Sequence, residues 1–359
     1  MKKQLLTTTA LAAAGAFAIS GAAHAQASKP SLSLGGWGEG IVVMADQDIG
    51  GRVGVDVQHD SEIHFKGAAT LDNGIKLATR VELEGNVSAG DQIDEAYVTV
   101  TGSFGQFRIG SDDNAAHLEV TSYAGTWATQ VGQNAALDSN DVATRPTGFD
   151  GQTNIRLDIG DGDSEKITYF TPRIGGFRAG FSYLPSSEED ANNSMSPVSA
   201  GRHEGVAATA SFEHKFGAVG LGLAAGYLQW SPGPTDTSGD DPKGWNVGGM
   251  VDVGAFRFAA GYLRSMNEGD NANVLELGAR FKAGKNNFSV GYIHGEDDGA
   301  AAVTGEDETD IVLLSYRRDL GPGVQYRLNL WWVDYSGENA GSADDNETVA
   351  LSTSVRVAF

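Results

Sequence analysis

The chain has 359 residues, no cysteine, 49 glycines against 9 prolines, and a formal net charge of −22 at pH 7. That charge excludes nucleic-acid binding, which needs a basic face, and the lack of cysteine excludes a disulfide scaffold. With 40% hydrophobic residues and a mean hydropathy of −0.24, the composition fits a soluble β-protein or a membrane β-barrel, where apolar and polar positions alternate and the average cancels.

Lys2 and Lys3 precede an apolar, Ala-rich run from Leu11 to Ile19, and Ala23-His24-Ala25 supplies a small-x-small cleavage pattern. Residues 1–25 are therefore expected to be a cleaved export signal, with the mature chain starting at Gln26. Loss of the two lysines takes the formal charge from −22 to −24. No later stretch approaches the ~20 apolar residues of a membrane helix.

The spacing predicts strands from Leu32 to about Ala45 and from Val55 to Ala69, where Ile63 and Phe65 alternate with Glu62, His64 and Lys66. Leu71-Asp72-Asn73-Gly74 is a tight-turn signal into a third strand, Ile75 to Glu84. There Ile75, Leu77, Val81 and Leu83 share one face, and Lys76, Arg80, Glu82 and Glu84 share the other. Such strict period-two alternation marks strands with two different surroundings. Ile93–Thr101 and Gln106–Gly110 follow, the latter placing Arg108 opposite Phe107 and Ile109.

Residues 112–163 then break the rhythm. A segment of this length with no strand pattern is expected only where a loop is functional, and it is read as a loop folded into the lumen of a barrel. Alternation resumes at Glu165–Thr171 and Phe177–Leu184. Further strands are expected at Glu204–Lys215, Val219–Trp230, Gly244–Val253, Ala255–Ser265, Ala272–Lys282, Asn286–His294, Glu308–Arg318, Gly323–Asp334 and Glu347–Phe359. Short connections such as Phe216-Gly217-Ala218 alternate with long acidic ones, among them Pro185–His203, Met266–Asn271, Gly295–Asp307 and Tyr335–Asn346. Sixteen strands, with short turns at one rim and long loops at the other, describe an all-β outer-membrane barrel of one domain, residues 26–359. Tyr183, Tyr227, Trp230, Tyr262, Tyr292, Tyr316, Tyr326, Trp332 and Tyr335 fall near strand ends, where amphipathic rings form interfacial girdles.

With these pieces in order, the chain resembles the general porins of Gram-negative outer membranes, most closely those of α-proteobacteria. The resemblance rests on Glu95-Ala96-Tyr97-Val98-Thr99-Val100 followed by Gly102-Ser103-Phe104-Gly105, and on Ile109-Gly110 at the loop entrance. It rests also on Ile167-Thr168-Tyr169-Phe170-Thr171-Pro172 with Gly175-Gly176-Phe177, and on the terminal strand from Val349 to Phe359. It implies a homotrimer of sixteen-stranded barrels, each with its third external loop folded inward, and a terminal Phe359 read by the barrel-assembly machinery. A basic wall would face an acidic loop across the constriction. By position the wall residues are Lys66, Arg80 and Arg108, and the loop acids come from Asp112, Asp113, Glu119, Asp138 and Asp141. The Pro-Glu-Phe-Gly turn found at the loop tip of enterobacterial porins is missing.

Opposed charges across a narrow opening set up a transverse field that orients water and polar solutes. A lipid-facing arginine at mid-strand costs ~2–4 kcal/mol, so Arg80 and Arg108 must face the lumen of any barrel. The expected function is passive diffusion of small hydrophilic solutes and ions, with a cation preference from the acidic balance. No cofactor is required. Asp158, Asp161, Asp163 and Glu165 form an acidic cluster that can ligate Ca²⁺ through hard oxygens, and Glu296, Asp297, Asp298 and Glu306 can bind divalent ions bridging lipopolysaccharide phosphates. Two alternatives stay open: a soluble, exported β-rich adhesin, and a glycosidase using paired carboxylates. Neither accounts for the alternation of short turns and long loops.

Overall fold

A computed structural model of the chain describes residues 28–85, 92–133, 139–187, 202–231, 241–267, 270–298, 305–338 and 345–359. The expected leader, residues 1–25, and Asp138 lie outside the described residues. The period-two pattern becomes sixteen antiparallel strands: β1 (Ser28–Gln47), β2 (Val55–Thr70), β3 (Lys76–Glu84), β4 (Ile93–Gly102) and β5 (Gly105–Ser111), then β6 (Glu165–Phe170), β7 (Phe177–Ser186), β8 (His203–Phe216) and β9 (Val219–Ser231). They continue as β10 (Lys243–Val253), β11 (Phe256–Asn267), β12 (Asp270–Ala283), β13 (Asn286–Asp297), β14 (Asp307–Gly321), β15 (Val324–Ser336) and β16 (Asn346–Ala358). Each strand pairs with its sequence neighbours, and β1 pairs with β16, so the sheet closes into a barrel.

Closure removes the sheet edges, and with them the unpaired backbone groups that a hydrocarbon environment would penalise. The seam runs from Trp37↔Ala358 to Gln47↔Thr348. Past its end the Phe359 N–H donates to the Gly36 carbonyl and the Gly36 N–H to the Phe359 carbonyl, each at 3.0 Å. The outward face is apolar: Phe177, Phe181, Leu223, Val247, Phe258, Leu277, Phe288, Leu314, Leu330 and Val349 are exposed. An apolar surface on this scale suits lipid rather than water. Among the described residues no helix is long and apolar enough to cross a membrane; the strands form the wall.

Three expectations change. β11 and β12 reach into the expected Met266–Asn271 connection and stay paired out to Asn267↔Asp270. Trp230 and Tyr335 are fully buried instead of joining an interfacial girdle, because their strand positions point inward, where they meet the inward loop. The loop itself is less irregular than its sequence reads, with three short helices, α1 (Ala115–Thr121), α2 (Gly125–Thr129) and α3 (Ser139–Val142).

Those helices follow the inner wall: α1 packs on β6–β10, α2 on β10–β13, and α3 on β15, β16 and β1. After α3 the chain returns as an extended segment in which Thr153, Ile155, Leu157 and Ile159 are buried while Asn154, Arg156 and Asp158 are not. Ile155 and Leu157 join Leu184, Leu228, Leu263, Ile293, Ile311, Leu313 and Val333 in one core between loop and wall. Each such side chain contributes about 1.5–3 kcal/mol on full burial, so the loop is held by a hydrophobic core inside the barrel. The inward residues of β2–β5 face the remaining lumen, and Arg80, Tyr97, Thr99 and Arg108 stay part-exposed.

Candidate constriction site

Strand register places the three expected wall cations on that uncovered face. Lys66 on β2 is the cross-strand partner of Arg80 on β3. Arg80 pairs with Tyr97 on β4, and Arg108 on β5 pairs with Thr99. All three follow the polar parity of their strands. Lys66 is exposed. Arg80 makes an ion pair with Glu82 through Nε and lies with Nη2 3.3 Å from both ring nitrogens of His64. Arg108 donates from Nη1 to Asp112 Oδ2 at 2.7 Å and stacks 5.2 Å from the Tyr97 ring centroid.

The loop acids divide. Asp112 and Asp113 stand at the loop root beside β5. Burial pushes the Asp112 carboxyl up from its ordinary range, against the pull of Arg108. Burial acts the same way on Asp113, but His117, with Nδ1 2.5 Å away, and Arg156 and Lys166 outweigh it and hold that carboxyl low. Asp141 on α3 is exposed and its carbonyl accepts from Gln58 Nε2 at 2.8 Å. Burial and then the charge of Asp60 raise its carboxyl.

Glu119 requires a correction. It is buried against the wall, where Arg173 Nη2 and Arg178 Nη1 donate to its two oxygens at 3.1 Å each and the Ser211 hydroxyl donates as well. The Asn114 side chain caps α1 by accepting from the Ala116 and His117 N–H groups, and the helix that follows turns Glu119 onto the wall. This acid anchors the loop.

The proposed Ca²⁺ cluster is also corrected. Asp158, Asp161, Asp163 and Glu165 do not converge on one point; among the described residues only Glu62, His64 and Glu82 do so. The reason is an internal cation. Lys166 Nζ lies 3.0 Å from Asp161 Oδ1 and donates to the Asp112 carbonyl, while Asn114 Nδ2 donates to Asp161 Oδ2 at 2.5 Å. Asp158 turns instead toward Arg156, at 3.8 Å. Burial pushes the Asp161 carboxyl up to about 6 against Lys166 and Asn114. Burial, reinforced by Asp113 and Asp94, pushes Asp163 up to about 7.

Residues outside the expected set complete the site. Arg156 points away from the core, 3.6 Å from Asp113 Oδ1, and so adds a cation to the loop side. The Thr-Asn-Ile-Arg-Leu-Asp-Ile alternation of residues 153–159 signals its orientation. Glu276 on β12 accepts from the Thr126 N–H at 2.8 Å, the Thr126 hydroxyl at 2.7 Å and the Ile155 N–H at 3.1 Å. Gly125 has φ +49°, and a Cβ there would run into Glu276, so the close approach requires glycine.

Beyond the loop, on the side of the short turns, the inward positions of β11–β16 carry Arg257, Arg280, Arg317, Arg327 and Arg356. Arg257 pairs across strands with Arg280, and Arg317 with Arg327. Asp252, Asp319 and Glu39 partly balance this basic ladder.

The geometry agrees with what is known of similar chains. A family model described as Gram-negative porin matches residues 7–337. The outer membrane porin protein 32 of Delftia acidovorans is 30% identical over 197 residues, 51% of this chain and 49% of that protein, so the match spans about half the length of this relative. An anion-selective porin from Comamonas acidovorans superposes with TM-score 0.64 at 18% identity, covering 92% of this chain and all of the other. OmpT, an outer membrane protein of Vibrio cholerae in its trimer form, superposes with TM-score 0.60 at 13% identity over the same shares, 92% and 100%. The chain belongs to the Gram-negative porin family, whose members are β-barrels of the outer membrane.

Proposed function

We propose that the chain forms a water-filled channel for passive diffusion of small hydrophilic solutes and ions, with a preference for cations. The observation that carries this reading is the loop fastened along the wall from β6 round to β1, which leaves the charged face of β2–β5 opposite Arg156 and Asp158. Acidic groups stand at the loop-side mouth: Glu84 at the end of β3, Asp113 at the loop root, and Asp158 and Asp163 on the loop. Charges there act on entering ions within about 8 Å at physiological salt.

A second reading, anion preference, is favoured by the five inward arginines on the turn side and by the selectivity named for the Comamonas protein. The two are separated by the reversal potential of the purified protein in a planar bilayer under a KCl gradient. Its sign gives the preference directly, and a folded sample that never conducts would remove the channel reading altogether.

Trimeric assembly belongs to the same proposal, supported by the trimer form of the Vibrio structure; conductance steps in groups of three are expected. The Phe359 side chain, 69% exposed at the end of the closing seam, is suited to recognition by the barrel-assembly machinery. At the loop rim Glu296, Asp298 and Glu306 are left to meet divalent ions on lipopolysaccharide, since Asp297 is buried.

A further inference from the structure

Glu62 and His64 lie two residues apart on β2, so both side chains point into the lumen. His64 pairs directly across the strands with Glu82 on β3. Three ligand-type atoms therefore converge from adjacent positions of two rigid strands. His64 Nε2 is 2.8 Å from Glu62 Oε1 and 3.4 Å from Glu82 Oε2, and the three side chains are 11%, 12% and 5% exposed.

The remaining oxygen of each carboxylate is already held by another side chain. Trp37 Nε1 donates to Glu62 Oε2 at 3.1 Å, and Arg80 Nε pairs with Glu82 Oε1. Each carboxylate thus offers its inner oxygen beside the imidazole, with its orientation fixed from outside, as supporting hydrogen bonds do around metal ligands. The cluster sits in a mostly buried position, with Arg80 against it and Lys66, the cross-strand partner of Arg80, one inward position further along β2.

We propose that Glu62, His64 and Glu82 form a divalent transition-metal site in the channel wall, of the zinc class, with water completing the coordination. One imidazole and two carboxylates are a donor set zinc accepts at bond lengths of about 2.0–2.2 Å, and the three donor atoms all lie within 4.8 Å of one another. Calcium is disfavoured, because it takes about 6–8 oxygen ligands. Arg80 opposes the ion by like charge, which makes the site exchangeable. A bound ion adds positive charge to the wall and moves selectivity toward anions; that electrical consequence alone rests on the proposed channel function.

The test is calorimetric titration of the folded, detergent-purified protein with ZnCl₂ and, separately, CaCl₂. The expected result is one Zn²⁺ per chain, no comparable Ca²⁺ binding, at least tenfold weaker zinc binding in His64→Ala, and no change in His294→Ala. Glu62→Gln, nearly isosteric, gives the same readout if His64→Ala fails to fold. Absence of zinc binding, or binding undiminished in both site variants, overturns the proposal and leaves His64 as a hydrogen-bonded link between two carboxylates. In the bilayer, zinc should lower the K⁺ to Cl⁻ permeability ratio by roughly threefold in wild type and not in His64→Ala, the scale of two charges acting across about 8 Å of screened water. Calorimetric binding in a protein that never conducts would uphold the site while removing the channel reading.

Discussion

Lys166 Nζ and Asp161 Oδ1 stand 3.0 Å apart with both side chains 1% exposed, at the point where the inward loop rejoins the barrel. The same ammonium donates to the carbonyl of Asp112 at the other end of the loop, so one buried cation ties the two ends together. Removing one member of a buried ion pair leaves an uncompensated charge and costs about 3–5 kcal/mol. Lys166→Met is therefore expected to release the loop root, seen as faster proteolytic nicking within residues 112–163 in an otherwise heat-stable barrel. The double variant Lys166→Met, Asp161→Leu should recover most of that protection, since no buried charge is left behind.

Asp163 supplies a pH dependence of selectivity. Its carboxyl, pushed up to about 7 by burial and by Asp113 and Asp94, is neutral below that value and negative above it. The loop-side mouth gains negative charge as pH rises through about 7. The K⁺ preference should therefore increase between pH 6 and pH 8, and Asp163→Asn should flatten that part of the profile. The linked stability term has the opposite sign. Between the ordinary carboxylate value of 3.8 and about 7 the folded state holds more protons than the unfolded, so this group's contribution falls as pH rises through the window.

Glu276 gathers three donors from two parts of the loop 29 residues apart, Thr126 and Ile155. Glu276→Leu orphans two buried backbone N–H groups, at about 1–3 kcal/mol each, while Glu276→Gln keeps one accepting oxygen. Open-channel current noise should increase strongly in the leucine variant and slightly in the glutamine variant. Equal noise in all three proteins would show that the core of Ile155 and Leu157 holds the loop unaided.

The barrel was legible because its strands have lipid on one side and water or loop on the other, which writes period two into stretches such as Ile75–Glu84. Closure, the inward parity of Lys66, Arg80 and Arg108, and the alternation of turns and loops follow from that pattern. The return segment of the loop carried the same signal over Thr153–Ile159, but its brevity and the glycines around it hid it. Glu119 and Glu276 were not legible as anchors. Their roles depend on which wall position the loop meets, and Glu276 lies 150 residues from Thr126. The buried inward faces of Trp230 and Tyr335 have the same origin: on most porin strands an inward aromatic would meet water, whereas here the loop covers it.

Arg156 offers the most direct test of how the loop sets selectivity. It lies between Asp113 at 3.6 Å and Asp158 at 3.8 Å, on the channel side of a segment whose other face is fixed in the core. Arg156→Ser removes one positive charge with little effect on packing, because the side chain is not part of that core. A unit charge about 8 Å away acts on an ion with roughly 0.2 kcal/mol once screened at physiological salt, and with opposite sign on K⁺ and Cl⁻, which makes about twofold in the permeability ratio. The reversal potential in a KCl gradient should shift toward cations by that factor. Arg280→Ser, on the turn side of the barrel, should shift it in the same direction. A larger effect at Arg156 places the selective step at the loop; a larger effect at Arg280 places it among the inward arginines of β11–β16.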